Sequence, residues 1–521
     1  MLRRCGYIKQ ALTLPAVSEN NTYDVVVIGS GLGGLLSAVL LAKEGMRVCV
    51  LEKNKQVGGC LQTFSLHKTV FDSCVHYIGG LGEGHTLNRI FRYAGIMDKL
   101  QLHAFDTNGF DRIAFGDEAV SYPQAVGKEN FIAQLLPYFP AEKQALQQYL
   151  ETVSDVTARF PLYHLRNGSA DEKAAVSGLG LTEVLNGITT NKRLQQVLMG
   201  NNLLYAGVAG KTPFYLHALV LESYLHSAHK IVPGSSQIAK YLWQELQAHG
   251  GVVYRNTEVT KLAEEQGAIA YAATASGEVF YGEHFISNLH PAALLDITDT
   301  KLLRPAYRQR VASLEQTQAG YMLNLVLKPG VVPHRDHNLY WHRTDDALAA
   351  ASGRGDWPGT YALYFVEDRK HPGFAESLSI LTYMHPAEAD AWKHTRNHSG
   401  NVGDRGADYA GFKEQQSEKL LQQVLKRIPE LAGNIVAQGT ATPLTYRDYT
   451  HTPGGALYGI LKNVHEPAKT SIATRTRIPN LLQTGQNVNL HGVLGVSITA
   501  IATCAELVGL DYLLQKINAD R

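Results

Sequence analysis

Three stretches of the chain carry a clear rhythm of apolar and polar positions. In the first, Tyr23-Asp24-Val25-Val26-Val27-Ile28 is short, β-branched and closed by Gly29, the pattern of a strand buried on both faces. Leu35 to Glu44 has helical character and stops at Gly45, and Arg47 to Leu51 is apolar again. Strand, helix and strand within about 30 residues predict a βαβ unit.

The second stretch opens with the turn Pro233-Gly234-Ser235-Ser236, which leads into a helix over Gln237 to Ala248 closed by Gly250-Gly251. Short strands follow at Val252–Tyr254, Val259–Ala263, Ala268–Ala273, Val279–Tyr281 and Phe285–Ser287, with a hairpin turn at Gly277-Glu278. They predict a β-meander that returns to the main sheet. The third stretch is a strand from Asn480 to Gly485, then a loop and a helix from about Gly495 to Val508. Between these lie two long inserts, roughly 91–228 and 291–474, rich in Tyr and Leu and without internal repeats. The predicted architecture is α/β. After a flexible leader, 1–22, a Rossmann-like nucleotide domain is assembled from 23–90, 229–290 and 475–521, and a mixed α+β substrate domain from the two inserts.

Composition narrows the function. With 521 residues, 45% hydrophobic and 18% charged, the chain is long enough for two to four domains at about 150 residues each and has the balance of a folded α/β protein. A net charge of +1 without a block of like charges gives no electrostatic pull toward nucleic acid or anionic lipid, so no nucleic-acid partner is expected. Cys5, Cys49, Cys60, Cys74 and Cys504 contain no C-x-x-C pair, which indicates neither a disulfide framework nor a dithiol redox centre and fits a reducing compartment. Arg3 and Arg4 precede an apolar run broken by Lys9, Gln10 and Pro15, a poor secretory signal. The longest uncharged apolar stretch, Gly492 to Ala505, falls short of the ~18 residues of a membrane-spanning helix.

Gly29-Ser30-Gly31-Leu32-Gly33-Gly34 places Gly-x-Gly-x-x-Gly between the first strand and its helix. Gly29 serves the tight turn, Gly31 the approach of backbone to a pyrophosphate, and Gly34 the packing of helix on strand. The pyrophosphate would sit at the helix N-terminus, where free N–H groups and the dipole favour anions. Glu52 ends the second strand 23 positions after Gly29, where a carboxylate accepts hydrogen bonds from a ribose and disfavours a 2′-phosphate. Gly58-Gly59, Phe71-Asp72 and His76 follow, and such a Gly pair is what flavoproteins with two dinucleotide-binding domains use on the flavin side of FAD.

From Tyr23 to Gly80 and from Pro233 to Ser287 the chain resembles the phytoene desaturase, carotenoid isomerase and retinol saturase superfamily of FAD enzymes. Leu482-Gln483-Thr484-Gly485-Gln486 followed by Gly492-Val493-Leu494-Gly495 is similar to the closing FAD motif of that superfamily, with Gln486 in place of its Asp. Thr442-Pro443-Leu444-Thr445-Tyr446 and Pro453 to Gly459 resemble the retinol saturase branch. The resemblance implies non-covalent FAD held by Gly29, Gly31, Leu32, Gly33, Gly34, Glu52, Lys53, Gly58, Gly59, Val259, Gly485, Gln486, Gly495 and Val496, and it does not imply NAD(P) as a tightly bound cofactor. It further implies hydride transfer between flavin N5 and a carbon–carbon bond of a long apolar isoprenoid or polyene, carotenoid or retinoid-like. Desaturation, saturation and isomerisation stay open, as does the electron donor or acceptor.

His491, Tyr458 and His76 are the candidate catalytic residues on this resemblance, although in a chain with 21 His and 26 Tyr each also suits a hydrogen-bonded structural role. Leu203 to Leu225 reads either as the lining of a hydrophobic tunnel or as core. His217, His226 and His229, spaced by nine and three without carboxylate or Cys support, predict no metal site. An apolar substrate drawn from a bilayer implies peripheral membrane contact, so the expected location is cytoplasmic, at most on the inner face of a membrane. Two other functions fit the same fold: an amine oxidase-like flavoprotein, and a non-catalytic prenyl-lipid-binding protein of the Rab GDP-dissociation-inhibitor type.

Overall fold

A computed structural model describes residues 21–352, 355–397 and 405–519, so most of the predicted leader and Cys5 lie outside the described residues. The first strand, β1 (Thr22–Ile28), the helix α1 (Leu32–Lys43) and the second strand, β2 (Val48–Leu51), form the predicted βαβ unit. Leu32 to Ala42 are all buried, because α1 is apolar on every side and is covered by β1 and β2, by Ser236–Ala248 and by Gly492–Val508.

The main sheet has seven strands. Val252–Tyr254, β2, β1 and Val279–Ser287 run parallel; Ala268–Thr274 and Val259–Glu265 continue antiparallel from one half of Val279–Ser287, while Leu481–Gln483 pairs parallel with its other half. Val279–Ser287 was expected as two strands. It is one, because β1 pairs with it from Tyr281 to Ser287, Gly282 and His284 lying opposite Tyr23 and Val25, and backbone pairing overrides the polar interruption. The helix expected from Gly495 starts three residues earlier, at Gly492, which at φ +77° makes the turn into it, and a further helix, Leu510–Ala519, follows. Beneath the other face of the sheet, Leu294, Leu295, Leu303, Val311 and Leu314 pack with Val26, Ile28 and Phe285.

A second sheet of seven strands is drawn from the inserts, in the order Ile435–Ala441, Ala319–Leu327, Ala375–Met384, Thr360–Glu367, Asn338–His342, Asp111–Phe115 and Ser121–Gln124. One face packs on Ala407–Leu425, and the other on the helices between Lys128 and His226. A small sheet of Ile78–Gly79, Ala228–Ile231 and Leu102–Ala104 completes the assembly.

Gly34 shows how tightly the first unit is closed. A Cβ there would lie 2.1 Å from the Gly29 carbonyl oxygen and 3.2 Å from Val27, neither of which can yield without moving β1 from α1. Gly34→Ala is therefore expected to lower the free energy of unfolding by about 3 kcal/mol or more. Urea unfolding would check this, and a loss under about 0.5 kcal/mol, typical of a neutral surface site, would contradict it.

Candidate active site

A cleft of about 400 Å³ opens where the parallel strands of the main sheet end, the position at which open α/β sheets bind ligands. Gly29, at φ +94°, turns the chain from β1 into α1. The Glu52 carboxylate, buried at the end of β2, accepts the Ser30 N–H at 3.0 Å and the Ser30 hydroxyl at 2.6 Å on one oxygen, and the Asn54 N–H at 2.8 Å on the other. The Ser30 hydroxyl in turn accepts from Gly58 N–H at 3.2 Å. The glycine loop, the acidic residue and the Gly58-Gly59 turn are thus one hydrogen-bonded unit, and the carboxylate oxygen that accepts from Asn54 keeps lone-pair capacity for a ribose hydroxyl.

The cradle tolerates no side chains. A Cβ on Gly31 would stand 2.7 Å from Asn288 Nδ2; one on Gly33, 2.7 Å from Asn288 Oδ1 and 3.0 Å from the Gly485 backbone; one on Gly485, 2.5 Å from Asn288 Oδ1. Gly29, Gly31, Leu32, Gly33, Glu52, Lys53, Gly58, Gly59, Val259, Gly485, Gln486 and Val496 all line the cleft. Two of the expected residues do not. Gly34 instead closes helix on strand, and Gly495 packs against Leu490, where a Cβ would meet Leu490 Cβ at 2.9 Å. Gly495 faces a second cavity, because the helix Gly492–Val508 begins three residues before it and turns it away. Lys53 donates to the Asp448 carbonyl at 2.7 Å, and burial pulls its ammonium down to about 8. Asn288, which touches four glycines of the cradle, escaped the sequence reading; its signal is a polar residue directly after an apolar strand.

The second cavity, about 130 Å³, shares Cys74, Val75, Tyr458, Gly492 and Val493 with the wall of the first. Leu204, Leu216, Leu219, Val220, Tyr224, Tyr364 and Leu381 give it an apolar, tyrosine-rich lining. The stretch from Leu203 to Leu225 therefore lines this cavity in part and packs in the core in part, with Leu203, Tyr205, Phe214, Leu221 and Leu225 in the core. His217 is held between the hydroxyls of Tyr149 and Tyr205 at 2.6 and 3.0 Å, whereas His226 pairs with Glu222 near the surface. Cys60 and Cys74 hydrogen-bond each other in the cleft wall, a dithiol contact that spacing alone did not predict. The hairpin Thr63–Leu66 and Thr69–Asp72 brings them together.

His76 and His491 both line the second cavity, each with a buried Nε2 that has no hydrogen-bond partner. The His76 ring stacks on Tyr364 at 4.3 Å, and the His491 ring lies 4.5 Å from that of Tyr458. Burial, aided by Lys230 near His76 and Lys462 near His491, pulls both down to about 3, so both are neutral at neutral pH. The Tyr458 hydroxyl donates to the Leu203 carbonyl at 2.8 Å. Asp111, fully buried, accepts the Tyr77 hydroxyl at 2.7 Å and the Asn338 amide at 2.9 Å, and burial pushes its carboxyl up to about 7 against both bonds. Tyr77 reaches from this acid to the second cavity.

Residues 27–94 match the family model of the NAD(P)-binding Rossmann-like domain, so the first site takes a dinucleotide. The chain is 27% identical to the all-trans-retinol 13,14-reductase of Rattus norvegicus over 94% of its own length and 86% of that protein. It is 23% identical to the chloroplastic prolycopene isomerase 1 of an Oncidium hybrid cultivar, over 96% and 86%. Among solved structures, putrescine oxidase with bound putrescine superposes at a TM-score of 0.62 and 13% identity, covering 94% of this chain and 99% of the other. Among the described residues no helix is long and apolar enough to cross a membrane. With its dinucleotide cleft opening beside an apolar cavity, the chain is similar over nearly its whole length to all-trans-retinol 13,14-reductases and prolycopene isomerases.

Proposed function

We propose that the dinucleotide is FAD, bound non-covalently, and that the chain is an oxidoreductase acting on a carbon–carbon bond of a long apolar isoprenoid or polyene. The observation that carries this reading is the apolar cavity sharing a wall with the far end of the dinucleotide cleft. Glu52 and Val259 mark the adenosine end, so a reactive ring would lie toward Cys74, Tyr458 and Gly492, where the two cavities meet. When bound, FAD supplies a site, N5, that accepts or gives hydride.

The protein's part is to bind, orient and exclude water. Backbone N–H groups at the start of α1 hold the pyrophosphate, and Glu52 accepts from the ribose. The N-terminus of Gly492–Val508 favours negative charge on the reduced ring. The buried hydroxyl of Thr484, which lines the cleft without a protein partner, offers a further hydrogen bond to the cofactor. Leu204, Leu216, Leu219 and Val220 orient the hydrocarbon. His76, His491 and Tyr458 shape the end nearest the cofactor, the two imidazoles as neutral groups. Where a proton must be delivered, Asp111 is the buried acid that holds one near neutrality, and Tyr77 is its link to the cavity. The segments 23–90, 229–290 and 475–521 would carry the cofactor, and 91–228 and 291–474 the substrate, loaded by peripheral contact with a membrane from the cytoplasmic side.

Protein purified from a riboflavin-supplied host and then denatured should release FAD in a ratio near one per chain, identified by chromatography. Release of NAD(P), or a colourless protein that also fails to take up added FAD, would overturn the cofactor reading and bring a non-catalytic lipid-binding role forward.

A further inference from the structure

Away from both cavities, three side chains meet that no step above uses. His103 lies on Leu102–Ala104, and His334 and Asp336 lie on the connection between Ala319–Leu327 and Asn338–His342. One ligand atom from each falls within 4.8 Å of the other two, and His103 Nε2 stands 2.7 Å from Asp336 Oδ1. Both ring nitrogens of His334 are buried and without a hydrogen-bond partner. A neutral imidazole carries one donor and one acceptor, so this ring leaves both unmet unless something occupies the space beside it.

We propose that His103, His334 and Asp336 form a binding site for a divalent transition-metal ion of the zinc class. Two imidazoles and one carboxylate suit such an ion better than magnesium or calcium, which take oxygen ligands. The backbone is already fixed: the Asp336 carbonyl accepts the Asp106 N–H at 3.1 Å, and the His334 N–H donates to the Gly373 carbonyl at 2.9 Å. Arg335, between the two ligands, bonds Glu430 at 2.6 Å.

Tetrahedral ligands about 2.0–2.1 Å from zinc stand roughly 3.3 Å from one another, so His103 and Asp336 would part by about 0.6 Å and exchange their hydrogen bond for coordination. Their side chains are 40% and 45% exposed, which lets an ion in from solvent and leaves a fourth position for water. Such an ion would clip the small sheet to the second large sheet. The small sheet also carries Ile78 and Gly79, in the wall of the apolar cavity.

The test is titration of the chelator-treated full chain with Zn²⁺ and, for its visible spectrum, with Co²⁺. One ion per chain with a Kd below about 10 μM is expected, together with a rise in Tm, both weakened at least about 30-fold or lost in His334→Gln and in Asp336→Asn. Equal urea midpoints of parent and variants without metal would show that the variants fold, and His103→Gln replaces either one that does not. Absence of stoichiometric binding, or binding and thermal shift unchanged in the variants, would overturn the site.

Discussion

Gly33→Val is expected to fold yet purify without cofactor. Its first added atom would meet the Gly485 backbone at 3.0 Å and Asn288 Oδ1 at 2.7 Å, so the glycine loop and the last strand must separate or the branched side chain must fill the cradle. Each route removes the N–H groups from the anion they would face. Loss of several charge-assisted hydrogen bonds, at roughly 1.5–3 kcal/mol each, predicts at least about a 100-fold weaker affinity. The measurement is the flavin absorbance per chain and the Kd for added FAD, with circular dichroism confirming the fold. Wild-type cofactor content in Gly33→Val would mean that the dinucleotide does not lie against this loop.

The second large effect concerns Asp111. Its carboxyl rests at about 7 in the native protein against 3.8 when solvated, so the native state holds a proton more tightly than the unfolded state. Stability from this group is full below about pH 4, falls as pH rises toward about 7, and is flat above, for a loss of up to roughly 4 kcal/mol. Asp111→Asn keeps the shape, removes the titration and can still accept from Asn338, so it should be more stable than the parent at pH 8 and near parity at pH 4. Urea unfolding of both proteins across this range isolates the group; a difference independent of pH, or one of opposite slope, would contradict the buried acid. In catalysis the same variant should slow reduction of a C=C bond by about 100-fold or more, if Tyr77 and Asp111 deliver the proton.

Both effects illustrate what could be read from sequence. Gly29, Gly31, Gly33, Gly34 and Glu52 were legible because a strand, a tight turn and a helix N-terminus are local, and the spacing between them carries the chemistry. The start of the helix expected at Gly495 was misplaced for a local reason too: two glycines in the first turn disguised a helix that begins at Gly492. Asn288 and Asp111 were not legible. Asn288 matters only because Val279–Ser287 lies beside β1 with Leu481–Gln483 on its other side, and Asp111 only because its strand pairs with Asn338, 227 positions away. Cys60 and Cys74 needed the hairpin between them. For His76 and His491 the residues were visible and their neutrality was not, since burial, which sets it, is a property of the folded environment.

The most direct test of the account is anaerobic mixing of the flavin-loaded protein, oxidised and dithionite-reduced, with a series of conjugated and saturated isoprenoids, following flavin and polyene absorbance together. The account predicts that one form of the flavin changes redox state in step with one equivalent of substrate, the reduced form consuming a C=C bond or the oxidised form creating one. Oxidised flavin bleached by an amine such as putrescine, with both forms indifferent to every isoprenoid, would contradict it.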